Sequence, residues 1–304
     1  MFRERVQAAA VALFVLIIAG VVVVLLKNVD RQAAPAKSPS VDPSSDLDSA
    51  AGGPVGAVSI SSTGGDLVMR IRAGSCATAG GPKLELSSNR GRSFHQILVP
   101  QIDDGSGVSA ASPKVRAIVS AKATSRLKMT VAAADEKCAI HRYATTDGGG
   151  TWTQKPAAVK EWYMDPKTGV LVSPAGPTDP GCSNLVAVAP VSKTVAKVFC
   201  ANGTVRATAD RGVTWADAGQ LPDVSAAVFT GPLTGYALVE GSACKSRVYT
   251  TLTGGATWTP QGCIIKEFTI PSLTGSDARL VAGGSGGVRL STDRGTTWRP
   301  SKMK

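Results

Sequence analysis

Five octapeptides of one pattern constrain this chain more than any other feature. "TTDGGGTW" (145–152), "TADRGVTW" (208–215) and "STDRGTTW" (291–298) follow Ser/Thr-x-Asp-x-Gly-x-Thr-Trp, and "SSNRGRSF" (87–94) and "TLTGGATW" (251–258) are worn copies. A motif that recurs every few tens of residues marks a chain built from similar units, and overlooking it misassigns the fold. The final residues of the copies, Phe94, Trp152, Trp215, Trp258 and Trp298, are 58, 63, 43 and 40 residues apart. A four-stranded antiparallel unit takes about 40–50 residues. The short intervals therefore hold one unit each, and the long ones a unit plus an insertion.

Each unit repeats one internal order. Around the fourth copy, "AAVFTG", "GYALVEG", "SRVYTTLT" and "TWTPQG" are short strand-like runs punctuated by Gly, Thr or Ser. In the third unit, Asn202-Gly203 supplies a tight hairpin, since both residues tolerate positive φ. Aromatic residues make up only 5% of the 304 positions, against 33 Gly and 18 Pro, which suits short strands and many turns.

The octapeptide falls between the third and fourth strands of each unit, and its residues suit a turn. The third-position side chain, Asp147, Asp210 or Asp293, accepts hydrogen bonds from turn N–H groups; Asn89 and Thr253 take that place in the worn copies. The fifth position is Gly91, Gly149, Gly212, Gly255 or Gly295, which permits a backbone that other residues resist. The aromatic residue starts the outer strand and buries its ring. This device stabilises a fold and performs no catalysis.

At these residues the chain resembles the Asp-box, or bacterial-neuraminidase-repeat, β-propellers, over residues 57–304. The resemblance implies an all-β propeller of four-stranded blades, with early strands lining the channel and the boxes on the rim. Five blades are counted, and a sixth without a box is the alternative, in the 63-residue interval. Asn89, Phe94 and Thr253 depart from the pattern, so their blades are expected to hold their turns less firmly. The arrangement also resembles actinobacterial membrane-anchored propellers and, more distantly, photosystem II assembly-factor propellers and sialidases. Fold alone does not fix which activity applies.

Residues 8–26, "AAAVALFVLIIAGVVVVLL", carry no charge and as a helix would span about 28 Å. The run is long for a cleaved signal and lacks a nearby small-x-small site, so it reads as a signal anchor after a cytoplasmic tail (1–7). Residues 27–56, rich in Pro, Ser, Ala and Asp, read as a flexible stalk. The net charge of +11 comes from scattered Lys and Arg without interleaved aromatics, which suits solubility rather than nucleic-acid binding.

All six cysteines lie beyond residue 75, and an even count behind an export signal reads as disulfides in an extracytoplasmic domain. On the propeller reading, Cys76, Cys138 and Cys244 fall between second and third strands, Cys200 ends a second strand, and Cys182 and Cys263 lie in connections between blades. All six then share the face opposite the boxes. The expected pairs are Cys182–Cys200, Cys244–Cys263 and, across adjacent blades, Cys76–Cys138. No Cys-x-x-Cys spacing suggests a metal, and no cofactor is expected.

Catalytic readings have bland competitors. Arg70 and Arg72 in "VMRIRAG" superficially match a sialidase arginine motif without its proline, and strand alternation explains them equally. Tyr143, the candidate nucleophile, falls in a third strand. "GGSGG" (283–287) has nucleophile-elbow spacing but is followed by a strand, which makes Ser285 a hairpin residue. His95 and His141 lack ligand spacing. The unrepeated insertion "VKEWYMDPKTGVLVSPAGPTDPGCSN" reads as a hairpin on the cysteine face. It holds Trp162, the lone tryptophan outside a box, beside Tyr163. It either plugs the channel or offers these aromatics to a partner. The expected function is a membrane-anchored, non-catalytic binding or assembly module at the cell envelope, with a protein or glycan partner. The alternatives are a sialidase-like glycan hydrolase and a purely structural envelope protein.

Overall fold

A computed structural model of the chain describes residues 58–301, apart from 63–65, 77–80, 101–114, 156–159, 242–243, 265–271, 277–278 and 285–286. The expected anchor (8–26), stalk (27–56) and Ser285 lie outside the described residues. All described residues belong to one compact unit, Ser49–Lys304.

That unit is an all-β propeller of six blades. Blade 1 is β1 (Val58–Ser62), β2 (Val68–Arg72), β3 (Lys83–Ser87) and β4 (His95–Ile97). Blade 2 is β5 (Ala117–Ala123), β6 (Met129–Ala134), β7 (Ile140–Thr145) and β8 (Thr153–Lys155). Blade 3 has three short strands, β9 (Tyr163–Met164), β10 (Leu171–Ser173) and β11 (Gly176–Pro177). Blade 4 is β12 (Leu185–Pro190), β13 (Ala196–Cys200), β14 (Thr204–Thr208) and β15 (Ala216–Gln220). Blade 5 is β16 (Val224–Phe229), β17 (Gly235–Val239), β18 (Ser246–Thr251) and β19 (Thr259–Ile264). Blade 6 is β20 (Ser272–Ser276), β21 (Arg279–Gly284), β22 (Gly287–Ser291) and β23 (Arg299–Pro300). Within every blade the strands pair antiparallel in chain order.

Blade 3 corrects the favoured count of five. It occupies the 63-residue interval, as the alternative allowed, and it was missed because no full octapeptide marks it. Its β10–β11 turn keeps one element of the pattern: the buried Ser173 Oγ accepts the Ala175 N–H at 3.1 Å. "PKTG" links β9 to β10, so the insertion is a blade and not a connection between blades.

The core lies between blades. Met69, Leu84 and Leu86 of blade 1 pack with Val131 and Tyr143 of blade 2, and Phe199 and Val205 of blade 4 with Phe229 and Ala237 of blade 5. Second strands are therefore covered on both faces. They read as apolar runs, as in "GYALV", where Tyr236, Ala237 and Leu238 are buried in succession. Fourth strands are the outer edge. β8 and β23 are short and fully exposed, and they carry Lys155 and Pro300, which blunt a free sheet edge. β20 of blade 6 contacts β1, and Val281 and Val288 pack on Val68. Among the described residues the ring thus closes by side-chain packing, without a strand shared between first and last blades.

Two disulfides are present, Cys182–Cys200 and Cys244–Cys263, while Cys76 and Cys138 are thiols, so the third expected pair is not bonded in this structure. Cys263 lies within β19 rather than in a connection between blades. The box aromatics also sit one place earlier than expected: Trp152, Trp215, Trp258 and Trp298 precede their fourth strands.

Candidate functional site

Each octapeptide forms the same hydrogen-bonded knot. The first-position hydroxyl is buried in every copy (Ser87, Thr145, Thr208, Thr251, Ser291). It accepts the N–H of the fifth-position glycine at 2.7–3.1 Å. In three copies it donates to the carboxylate of Asp147, Asp210 or Asp293, at 2.6–2.8 Å. That carboxylate in turn accepts the N–H and hydroxyl of the seventh residue, Thr151, Thr214 or Thr297.

The worn copies keep the frame. Asn89 Oδ1 accepts the Ser93 N–H at 2.9 Å, and Thr253 Oγ1 accepts the Thr257 N–H at 2.9 Å. Both thus reproduce the bond that spans the turn.

These bonds hold the carboxylates ionised. Thr214, then Thr208, lowers Asp210 to about 2. Asp147, held by Thr145 and Thr151, and Asp293, held by Thr297, are lowered too.

The knot clamps neighbouring blades together. Residues four and five of each copy take left-handed backbone, with arginine at position four in Arg90, Arg211 and Arg294 (φ 66°, 67° and 59°). In four copies the position-four N–H donates to a carbonyl in the loop between first and second strands: Asp66, Leu127, Thr194 or Leu233. The glycine then presses on the preceding blade. A Cβ on Gly295 would lie 2.8 Å from Val248, and one on Gly212 would lie 2.9 Å from Ser173. Trp152 Nε1 donates to the Leu98 carbonyl, and Trp215 Nε1 to Thr178 Oγ1, each across a blade boundary.

The first-to-second loops and the octapeptide turns share one end of each four-stranded sheet, and with the β10–β11 turn of blade 3 they build one face of the propeller. Of the eight large apolar side chains exposed among the described residues, four lie on this face: Leu127, Val213, Leu233 and Leu252, each 57–70% exposed. They belong to blades 2, 4 and 5. Exposed cations flank them, Arg126 and Lys128 beside Leu127 and Arg211 near Val213, and exposed Asp66, Asp147 and Asp293 share the face. The opposite face carries both signs in its loops and connections, Glu136, Asp179, Asp223 and Glu240 beside the exposed Lys137, Lys167 and Lys245. Exposed aliphatics gathered on one face make that face the candidate interaction surface.

Trp162 does not serve as an exposed anchor. It is 8% exposed, its Nε1 donates to the Ser192 carbonyl at 2.9 Å, and its ring meets Trp215 edge-on at 6.0 Å. It packs with Leu171, Ala196 and Val198, in the boundary between blades 3 and 4. Tyr163 is half-buried in β9, opposite Val172.

The residues offered for sialidase chemistry are engaged or enclosed. Arg70 makes two bonds to Glu85, at 2.6 and 2.9 Å, and lies over the Phe94 ring. Tyr143 is buried, its hydroxyl meets no partner, and burial pushes it up to about 12. That is the reverse of what a nucleophile needs. Arg72 ends β2, exposed, and His95 is exposed at the start of β4. His141 bonds to Asp135 and Gln154. Among the described residues no three His, Cys, Asp or Glu side chains converge as a metal site would require.

No protein-family model matches the chain, and no curated protein matches it in sequence. Solved propellers do match in structure. One is YCF48 from Cyanidioschyzon merolae, at 13% identity over 76% of this chain and 80% of that one, with a TM-score of 0.44. Another is YCF48 bound to D1 peptide, at 13% identity over 81% of this chain and 66% of that one, with a TM-score of 0.30. The GH74 enzyme of Niastella koreensis matches at 12% identity over 80% of this chain, with a TM-score of 0.34; the chain spans only 46% of that enzyme. Likenesses at this level speak to the fold alone.

Proposed function

We propose that the protein is a membrane-anchored, extracytoplasmic propeller that acts as a non-catalytic binding or assembly module at the cell envelope. The observation that carries this reading is the set of exposed aliphatic side chains on the octapeptide face. Leu127, Val213, Leu233 and Leu252 sit on loops locked by the hydrogen-bonded knots, so presenting them to a partner costs little ordering entropy. Aliphatic side chains interspersed with arginine, lysine and ionised aspartate fit a protein partner with an apolar patch and a rim of both charge signs. The uncharged run at 8–26 supports anchoring, and the two disulfides support an oxidising compartment.

The test is capture from solubilised membranes with the full chain as bait. Leu127→Asp combined with Leu252→Asp should abolish recovery of the partner while leaving the melting temperature unchanged. The control Glu240→Arg, on the opposite face, should capture normally. Equal capture by the double variant would remove this face as the binding surface.

A further inference from the structure

We infer that Cys76 and Cys138 form a thiol–disulfide exchange site that latches blade 1 to blade 2, open in this structure and closed by a disulfide donor. The two thiols are 62 residues apart in the chain, and the backbone brings them together.

Blade 1 leaves β2 through Ala73 and Gly74 and runs directly onto blade 2. The Ile118 N–H donates to the Ala73 carbonyl at 2.7 Å, and Gly74 bridges Ala117. Only glycine permits this approach: its φ is +75°, and a Cβ there would lie 2.3 Å from the Arg116 carbonyl oxygen. Cys76 follows two residues later. On the blade 2 side, Ala117 pairs with Ala134, and the β6–β7 turn that follows carries Cys138. Cys76 and Cys138 are thereby neighbours across the blade boundary.

Cys138 is also an unusual choice for its position. Asp135 N–H donates to the Ala139 carbonyl, Cys138 N–H donates to the Asp135 carbonyl, and Cys138 has φ +61°. This is a type I turn followed by a left-handed residue, where glycine is the favoured occupant. Among the described residues only five others-than-glycine hold positive φ; three are octapeptide arginines and one is Asp223. Aspartate tolerates that region through its short polar side chain, and cysteine has no such advantage. The thiol therefore accounts for the residue better than the backbone does.

Both cysteines are partly exposed, which leaves room for a small disulfide to approach. Burial and the neighbouring thiol push Cys76 up to about 12, and Cys138, on the β6–β7 turn between the exposed Lys137 and Ala139, is assigned as the attacking thiol. Its thiolate attacks a disulfide RSSR, forms Cys138–S–S–R and releases RS⁻. Cys76 then loses its proton to solvent and attacks the Cys138 sulfur, releasing the second RS⁻. The two cysteines are oxidised to one disulfide, and RSSR is reduced to two thiols.

The consequence falls on blade 1, whose other boundary is the ring closure against blade 6, where no strand is shared among the described residues. Closing the latch ties down the terminal blade.

The probe is oxidised glutathione on the purified full chain, followed by alkylation and peptide mass spectrometry. Two free thiols should fall to none, with a cross-linked peptide joining Cys76 to Cys138. Hydrogen exchange in residues 68–97 should slow at least tenfold on closure. Cys76→Ser should yield only a glutathione adduct on Cys138. Cys138→Gly, which suits the turn, should form no cross-link and melt within a few degrees of the reduced wild type. Glutathione adducts on the wild type without the cross-link would overturn the latch, as would unchanged exchange in blade 1 after cross-linking.

Discussion

Gly149 of blade 2 lies so close to Ile97 of blade 1 that a Cβ on the glycine would stand 2.4 Å from the isoleucine Cγ2. The octapeptide is thus an inter-blade clamp as much as a turn. Its glycine is fixed both by φ +94° and by the neighbouring blade.

Two adjacent glycines separate these causes. Gly149→Ala meets both the left-handed backbone and Ile97, and should cost about 3 kcal/mol, seen as a melting temperature lower by about 5–10 °C. Gly148 has φ +80° but no neighbour closer than 3.5 Å to an added Cβ, and arginine holds the same place in three other copies. Gly148→Arg should therefore cost no more than about 1 kcal/mol. Thermal melts of the two variants check this, and equal losses would refute the clamp.

The octapeptide carboxylates set an acid limit. Asp210 is lowered to about 2 from an ordinary value near 3.8, and Asp147 and Asp293 are lowered as well. A carboxyl with a lowered folded-state pKa contributes stability that is full above its unfolded value and is lost as pH falls through the folded one. Denaturant titrations should show wild-type stability falling between about pH 4 and pH 2. The triple variant Asp147→Asn, Asp210→Asn, Asp293→Asn should be less stable than wild type above pH 4 and should converge with it near pH 2. Asn89 shows that an amide keeps the spanning bond, so this variant should still fold.

Trp162 is a packing residue. Trp162→Ala removes a buried ring between blades 3 and 4 and the bond to Ser192, and should cost about 3–5 kcal/mol. Partner affinity of the fraction that remains folded should not change. A normal melting temperature with lost binding would return Trp162 to a contact role.

The sequence makes five of the six blades legible, because five octapeptides survive with enough of their hydrogen-bonding groups. Blade 3 escapes a count of tryptophans, since only Ser173 and its turn bond remain of the pattern. Trp162 misleads for a related reason. Outside a repeat nothing in its spacing announces burial, and the partner that covers it, Trp215, is 53 residues away. The exposed aliphatics are hard to read from sequence, because Leu252 and Val213 occupy variable positions of the octapeptide. Apolar residues at the solvent-facing places of a turn were the available signal.

Site-specific photo-crosslinking in native membranes tests the central claim most directly. A photoreactive residue replaces Leu127 or Leu252 on the octapeptide face, or Asn202 or Glu240 on the opposite one. The account expects one discrete partner adduct from positions 127 and 252, competed away by excess unlabelled protein, and none from 202 and 240. Adducts from 202 and 240 alone, or no specific adduct from 127 and 252, would contradict it.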